Sequence, residues 1–435
     1  MTEEELTKQN KATLRKAYLA STPAFTYSQL EEAFDKWMIM PDRGILKLLV
    51  SFYCANKLPG KALWMIVIGP SGGGKTEFLN SLLLMPDIYP LSTLTPNTFL
   101  SGMPGKGDNS LLPKLNGKVL MLKDWTSILS MQKDAKSEVM GQFREIYDGS
   151  MKKVYGNGRV ATWAGKVSVL AASTQAVDLN QQQYTHLGER FLNYRIKMPE
   201  RKEVAMKSLT NESAQDQMED ELQNAMYLFF KGLDFDTMAG KTYKLDKQYY
   251  KQIVSLSNFA TLARSGIIRD FGFKKEVIFV PTAEMPTRIT GQLAKIAAGM
   301  MMANGGELTE EDIKIIYKTA LDSIPQTNKM VIIEMAKADS QTTAEIATAL
   351  GYPTEPIKMY LENLAMLHVC YRLKEGTGYR WTMEPEFSEI IRHYEGIIPL
   401  TKNEMEDRKE VDDLDVFDEE EKETQISMDL LDEGV

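Results

Sequence analysis

The stretch at residues 65–76, MIVIGPSGGGKT, constrains this chain more than any other part of its sequence. Four apolar residues at positions 65–68 predict a short buried strand, and residues 77–83 (EFLNSLL) predict a helix. Between them stands G-x-x-x-x-G-K-T, the pattern of a phosphate-binding loop in its expected context of strand, loop and helix. Glycines let successive backbone amides turn toward phosphate oxygens, and the start of a helix favours negative charge. An ordinary glycine-rich turn is the alternative, but the flanking strand and helix favour the phosphate loop.

The loop pattern also assigns roles to individual residues. Those expected to contact the phosphates of a nucleotide are Gly69, Ser71, Gly72, Gly73, Gly74, Lys75 and Thr76. Within this set, Lys75 is expected to reach the β- and γ-phosphates of ATP, and Thr76 to bind Mg²⁺. The sequence therefore predicts ATP and Mg²⁺ as ligands.

Asp124 is the second candidate ligand of Mg²⁺, because it ends the apolar run KVLMLKD at residues 118–124. An acid at the end of such a strand is expected downstream of a phosphate loop, although a plain strand end also explains it. The Glu that usually follows and activates water is absent, since Trp125 stands in its place. Glu138 and Glu145 on the next predicted helix could replace it, but a solvent-exposed helix face explains both of them better.

Composition and charge limit the class of protein. A length of 435 residues predicts two or three domains, and the two cysteines and three histidines have no metal-ligand spacing. There is no signal-peptide core and no long apolar run, so we expect no membrane partner and a location in the cytoplasm. Residues 401–435 carry 15 acidic and 4 basic residues, a net charge of −11, whereas the whole chain has −9. The remaining 400 residues therefore sum to +2, which leaves nucleic acid open as a partner.

A predicted hairpin at residues 151–163 carries the candidate nucleic-acid contacts. Its turn is the Asn157-Gly158 pair, a strong tight-turn signal. Lys152, Lys153 and Arg159 lie on it among aromatic residues, a combination that suits contact with a nucleic-acid backbone. An ordinary solvent-exposed hairpin has the same composition, so both interpretations stay open.

Two further segments follow a mostly helical region at residues 201–326. Residues 327–386 predict three helices and a hairpin, the pattern of a winged helix-turn-helix. Its third helix carries Lys358 as its only base beside Glu355 and Glu362, so contact with a protein is an alternative to binding in a DNA groove. Residues 387–435 form an acidic tail that lacks a core pattern and predicts disorder from residue 401. The tail contains QISMDLL at residues 425–431, which is typical of a docking peptide.

Taken in order, these motifs resemble the AAA+ ATPases of the minichromosome maintenance (MCM) helicase type, which have a hairpin before the sensor-1 strand. The resemblance covers roughly residues 60–385. It implies that Thr174, after Val-Leu-Ala-Ala-Ser, lies on the γ-phosphate side. It also implies that Arg190 of the Arg-Phe pair is an arginine finger and that Arg288 of TRITGQL is the sensor-2 arginine. The family's Asp-Glu pair reads Asp124-Trp125 here, which leaves the rate of hydrolysis open.

The resemblance also implies an architecture and a function. The expected fold is α/β, with an N-terminal helical segment at residues 1–60, an AAA+ nucleotide-binding core at 61–200, a helical lid at 201–326 and a C-terminal winged helix. The expected function is that of an oligomeric, hexameric DNA helicase or translocase, acting on single-stranded or forked DNA in phage or mobile-element replication. The alternatives are an ATP-switched helicase loader or scaffold and, less favoured, a transcription regulator or phage-defence ATPase.

The tail peptide has a resemblance of its own. It is similar to bacterial sliding-clamp-binding motifs of the Gln-Leu-x-Leu-x-Leu type. The matching positions are Gln425, Ile426, Met428 and Leu430. A sliding clamp is therefore an expected partner. The alternative is that this short motif recurs here by chance.

Overall fold

A five-stranded parallel sheet forms the centre of the first of two compact units in this computed structural model. The first unit draws on Met1–Gln181, Glu189–Ile253 and Thr287–Ser323, and the second on Gln182–Gly188, Val254–Pro286 and Ile324–Val435. The structure describes residues 3–101, 110–156, 158–178, 190–270, 272, 275–376 and 378–397.

The strands of the central sheet are four to six residues long. In chain order, the strands of the described residues are β1 (Trp64–Ile68), β2 (Ile88–Leu91), β3 (Val119–Leu122), β4 (Ser150–Val154), β5 (Val160–Ala164), β6 (Ser168–Ser173), β7 (Leu192–Arg195), β8 (Ile268–Arg269), β9 (Val277–Phe279), β10 (Cys370–Glu375) and β11 (Gly378–Met383).

Most of the remaining described residues are helical. The helices are α1 (Glu3–Ser21), α2 (Tyr27–Trp37), α3 (Gly44–Lys57), α4 (Lys75–Asn80), α5 (Leu112–Leu115), α6 (Thr126–Leu129), α7 (Lys133–Tyr147), α8 (Arg201–Asn211), α9 (Gln215–Lys231), α10 (Phe235–Ala239), α11 (Lys247–Arg264), α12 (Thr287–Asn304), α13 (Glu310–Asp322), α14 (Gln326–Met335), α15 (Thr343–Leu350), α16 (Thr354–Met366) and α17 (Pro385–Glu395).

The order of strands in the central sheet is β2-β3-β6-β1-β7, and all four pairings are parallel. Every residue of β1, β3 and β6 is buried, as expected for parallel strands that are covered on both faces. The predicted α/β class is therefore confirmed. At the carboxyl end of β1, Ile68 pairs with Ser173 on one side and Arg195 on the other.

An aromatic cluster stabilises one face of this sheet. The ring centroid of Trp64 lies 5.5 Å from that of Phe143, 5.1 Å from Tyr147 and 5.0 Å from Phe191. Because burial of large aromatic side chains dominates core energetics, this cluster fixes α7 and the start of β7 against β1.

Helices α1, α2 and α3 lie in the N-terminal segment for which helices were predicted. Helix α2 begins with a capping box, in which Thr26 and Gln29 each satisfy a backbone amide of the other. Helix α3 is almost wholly buried and packs closely against α12, where Gly299 faces it. These helices belong to the same compact unit as the sheet.

The second unit contains the predicted run of three helices and a hairpin, here α14, α15, α16 and the antiparallel pair β10–β11. Helix α15 begins with a capping box between Thr342 and Glu345 and ends at Gly351, whose φ of 66° is the left-handed conformation that glycine adopts readily. Two features depart from the predicted division. The helical residues 201–326 are split between the units, and α17 continues across the expected boundary at residue 386. The short β8–β9 hairpin had no sequence signal.

None of the helices in the described part of the chain is both long enough and apolar enough to cross a membrane.

Candidate nucleotide-binding site

The glycine-rich loop leaves β1 at Gly69 and enters α4 at Lys75. Gly72 and Gly74 have φ angles of +72° and +75°, which side-chain-bearing residues rarely adopt. A Cβ on Gly73 would lie 3.0 Å from the carbonyl oxygen of Pro70, inside the turn. The loop therefore keeps its amides clear of side chains, as binding of a phosphate chain requires.

Lys75 folds back over this loop. Its Nζ donates to the carbonyl oxygens of Gly69 (2.9 Å) and Pro70 (2.6 Å). Burial lowers the pKa of Lys75, and the carboxylates of Asp124 and Glu77 act in the opposite direction. The lysine charge thus lies near the acid that was assigned to Mg²⁺, at the mouth of the loop.

Asp124 and Thr174 follow two other strands that end at the same edge of the sheet. Asp124 comes two residues after β3 and Thr174 directly after β6, and both strands run parallel to β1. Side chains after the carboxyl ends of parallel strands gather at one edge, where ligands of such sheets bind. Asp124 is exposed and accepts from the Thr126 amide (2.9 Å), whereas Thr174 Oγ1 accepts from the Ala176 amide (3.4 Å).

The possible Mg²⁺ ligands on the protein are therefore Thr76 and Asp124, both exposed at this edge. Among the described residues there is no cluster of three or more His, Cys, Asp or Glu side chains that could hold a metal ion alone. One hydroxyl and one carboxylate suit Mg²⁺ bound jointly with nucleotide phosphates, because this ion usually keeps several waters and few protein ligands.

Trp125 lies in the core rather than in the site. Its side chain is 2% exposed, and its ring centroid lies 5.2 Å from Phe143 and 4.8 Å from Phe191. Its amide donates to the carbonyl oxygen of Ala172 (2.7 Å), which ties the turn to β6. The position after Asp124 therefore points inward and holds no group that could activate water. Glu138, one possible substitute, forms an ion pair with Lys153 (3.0 Å).

A cavity of about 480 Å³ adjoins the loop and was not predicted from the sequence. Its walls are residues 72–78, residues 37–42 at the end of α2 and after it, residues 196–199 after β7, and parts of α8 and α9. Methionines supply much of its apolar lining: Met38, Met40, Met198 and Met218. Lys207 and Asn211 of α8 donate to the carbonyl oxygens of Lys36 (2.6 Å) and Trp37 (2.9 Å), which holds α8 against the end of α2. A cavity of this size with both apolar and polar walls suits the nucleoside part of a nucleotide.

Arg190 and Arg288 come together at the opposite edge of the sheet. Arg190 precedes β7, whose Leu192 pairs with Met65 near the start of β1, and Arg288 is in the first turn of α12. The Cζ atoms of the two arginines lie 5.8 Å and 5.9 Å from the ring centroid of Tyr147. Arg195 pairs with Ile68, the residue before the loop, and Arg190 lies five residues earlier in the chain. Five extended residues span about 16 Å. The two arginines therefore do not reach the loop of their own chain.

Electrostatics around Arg190 are unfavourable to a buried cation. Burial lowers the pKa of Arg190, the neighbouring Arg288 lowers it further, and Asp148 raises it. The contact to Asp148 is long, at 3.4 Å, and Asp148 is itself exposed. The Gln292 amide donates to the carbonyl oxygen of Arg190 (2.6 Å) and fixes its backbone to α12. Two cations clustered in this way form a surface that would attract an anion.

The β4–β5 hairpin presents its two lysines differently. Lys152 is exposed, whereas Lys153 Nζ donates to the Pro96 carbonyl oxygen (3.0 Å), to Asn97 Oδ1 (3.2 Å) and to Glu138. Lys153 therefore ties the hairpin to the body of the protein. Arg159 is partly buried, and Asn157 of the predicted turn lies outside the described residues.

The residues assigned to a sliding clamp, Gln425, Ile426, Met428 and Leu430, also lie outside the described part of the chain.

Comparison with known proteins adds no assignment: no protein-family model matches the chain, and no curated protein matches it. Any function must therefore be argued from the residues of this chain.

Proposed function

We propose that this chain is the ATP-hydrolysing subunit of an oligomeric, hexameric DNA helicase or translocase of the AAA+ class, acting in phage or mobile-element replication. The observation that carries the proposal is the separation of two half-sites. Lys75, Asp124 and Thr174 lie at one edge of the sheet, and Arg190 with Arg288 lies at the other. A complete site of this kind forms only when the end of the sheet that carries Arg190 and Arg288 in one subunit meets the phosphate loop of the next subunit.

In this proposal, each side chain has a task that its position supports. The loop amides bind the phosphates, Lys75 moves from its carbonyl contacts to the β- and γ-phosphates, and Thr174 orients the γ-phosphate side. Mg²⁺, held by Thr76 and Asp124, would neutralise charge on the phosphate oxygens. The neighbour's Arg190 and Arg288 stabilise the negative charge that develops during transfer.

Coupling to DNA is assigned to the β4–β5 hairpin. It follows α7 directly, and α7 ends at Tyr147, the residue beneath both arginines. A shift at the arginine edge would therefore pass to the hairpin, where exposed Lys152 can contact a phosphate of single-stranded DNA. The winged helix and the acidic tail are proposed as further contacts for DNA or a clamp.

A second function is favoured by one observation, the burial of Trp125. Without a carboxylate after Asp124, the chain could bind ATP, assemble and recruit a replication partner while hydrolysing slowly. In that case it would be an ATP-switched loader or scaffold and would not unwind DNA.

The test of the oligomeric site uses purified wild-type protein, Lys75→Ala, Arg190→Ala and the exposed control Arg201→Ala. Arg190→Ala should reduce ATP turnover by ~10³–10⁵, because a trans arginine contributes that much in phosphoryl transfer, and should still bind nucleotide. An equal mixture of Lys75→Ala and Arg190→Ala should regain part of the activity. Where the two variants meet, the Arg190→Ala subunit can supply an intact loop and the Lys75→Ala subunit an intact arginine. Unchanged turnover in Arg190→Ala, or none regained in the mixture, would contradict the shared site.

Forked DNA distinguishes the two functions. A helicase should show DNA-stimulated hydrolysis and strand displacement that Lys75→Ala lacks, together with an oligomer mass in the presence of ATP. Assembly with ATP but without strand displacement or stimulated hydrolysis would reject the helicase in favour of the switch.

A further inference from the structure

Arg195 is the last residue of β7 and pairs in register with Ile68, the residue before the phosphate loop. Its guanidinium forms two bonds to one carboxylate, from Nη1 to Asp178 Oδ2 (2.9 Å) and from Nη2 to Asp178 Oδ1 (2.6 Å). Asp178 lies four residues after Thr174, in the segment that leaves β6. Because β6 and β7 flank β1 on opposite sides, this pair spans the carboxyl end of β1, at the base of the loop.

The pair is well shielded, with side-chain exposures of 10% for Arg195 and 17% for Asp178. Paired N–H···O bonds between a guanidinium and a carboxylate fix both distance and orientation, which a single lysine contact does not. The segment from Thr174 to Asp178 is therefore held at both ends, by β6 and by Arg195.

Other contacts fix Arg195 itself. Its backbone amide donates to Asp322 Oδ2 (2.8 Å), and its Nε donates to the Asp322 carbonyl oxygen (3.2 Å). Lys318 Nζ donates to the Arg195 carbonyl oxygen (2.6 Å) and forms an ion pair with Asp42 (3.6 Å). Helix α13 thus anchors the end of β7.

Asp42 extends this network to the cavity beside the loop. It is one of the residues that line the cavity, and its carboxylate accepts from the Tyr194 hydroxyl (2.9 Å). The polar contacts therefore connect three parts of the candidate site: the Thr174 segment, the strand next to the loop, and the wall of the cavity.

We propose that Arg195 and Asp178 are positioning residues that hold Thr174 in place for ATP hydrolysis. This inference rests on the proposed function. Their mutual bonds engage Nη1 and Nη2 of the guanidinium and both carboxylate oxygens, so in this proposal neither side chain acts directly on the nucleotide. The loop amides and Lys75 do not depend on the pair. Its loss should therefore slow turnover and leave nucleotide binding largely intact.

The variants are Asp178→Asn, which keeps shape but removes the charge, and Arg195→Lys, which keeps the charge but cannot bond at two points. Arg269→Lys is the matched control, because Arg269 is a similarly buried arginine of the second unit that bonds to Glu362 and Asn363. We expect kcat to fall at least tenfold in the first two variants, with the Kd for a fluorescent ATP analogue changed less than threefold. Arg269→Lys should keep the wild-type kcat.

A double-mutant cycle tests whether the pair acts through Thr174. If it does, adding Asp178→Asn to Thr174→Ala should cause little further loss of kcat. Full additivity of the two losses, or equal losses of affinity and kcat, would overturn the inference. Wild-type protein without ATP turnover would overturn the proposed function and this inference with it. Normal wild-type turnover with unchanged kcat in Asp178→Asn would overturn the inference alone.

Discussion

Gly299 lies where α12 packs against α3, and replacing it with alanine tests that packing. A Cβ at this position would lie 2.1 Å from the Ser51 carbonyl oxygen and 3.0 Å from the Ala55 Cβ. A carbon normally approaches a carbonyl oxygen no closer than about 3.3 Å, so α12 would have to retreat by about 1.2 Å. Both obstacles are the backbone and Cβ of a buried helix and cannot rotate away.

The expected cost follows from two opposed effects. Overpacking of a core costs ~1–3 kcal/mol, and a backbone clash belongs at the upper end of that range. Alanine in place of a helical glycine stabilises the helix by ~1 kcal/mol because of its higher helix propensity. Gly299→Ala should therefore lower the free energy of unfolding by about 2 kcal/mol. Gly291→Ala, on the same helix with nothing within 4 Å of its Cβ, should raise it by up to ~1 kcal/mol.

Urea unfolding followed by far-UV circular dichroism measures both variants against wild type, with a predicted difference of about 3 kcal/mol between them. The two variants make the same chemical change in one helix, so helix propensity cancels in the comparison. Equal stability of the two, or a stabilised Gly299→Ala, would refute the close approach of α12 to α3. Because Arg288 lies three turns before Gly299 on α12, we also expect Gly299→Ala to lower ATP turnover at temperatures where it remains folded.

Three other perturbations give distinct outcomes. Burial and the adjacent Lys166 lower the pKa of Lys295 to about 7, so between pH 7 and 10 the unfolded chain binds more protons than the folded chain. The free energy of unfolding should therefore rise with pH in this range, by at most ~1.4 kcal/mol per pH unit. Urea unfolding at several pH values should show this slope in the wild type and not in Lys295→Met. Lys152→Ala should weaken binding to single-stranded DNA and reduce its salt dependence, as measured by fluorescence anisotropy, whereas Lys153→Ala should lower the melting temperature. Loss of DNA binding in Lys153→Ala together with a lowered melting temperature in Lys152→Ala would contradict these assignments. Gly74→Ala should weaken ATP binding, whereas Gly60→Ala, also at a positive φ but away from the loop, should lower only the free energy of unfolding. Equal ATP affinity in the two variants would contradict the assignment of the loop to ATP binding.

Local patterns were enough to predict the parts of the fold that depend on neighbouring residues. The strand before Gly69, the strand before Asp124 and the β4–β5 hairpin are all present, because apolar runs and tight-turn signals act over a few residues. The parallel sheet then brings the ends of β1, β3 and β6 to one edge, as the order of motifs implied.

Features that depend on distant contacts had no such signal. The tie from Lys153 to Pro96, the shared ring of Tyr147 beneath two arginines, and the cavity wall at residues 37–42 each join segments far apart in the chain. A basic residue on a hairpin looks the same in the sequence whether it faces solvent or a carbonyl oxygen. Composition therefore predicted the kind of residue but not its direction.

The burial of Trp125 restricts how this protein could change over evolutionary time. A single substitution to glutamate would create the Asp-Glu pair of the ATPases that the sequence resembles, but it would insert a carboxylate between Phe143 and Phe191. An uncompensated charge in such surroundings costs several kcal/mol or is neutralised by a raised pKa, and a neutral acid activates water poorly. A fast hydrolytic site could therefore arise at this position only after the aromatic cluster had been repacked. Exchange of Trp125 alone would lower the stability of the protein, so this change requires compensating substitutions in the aromatic cluster.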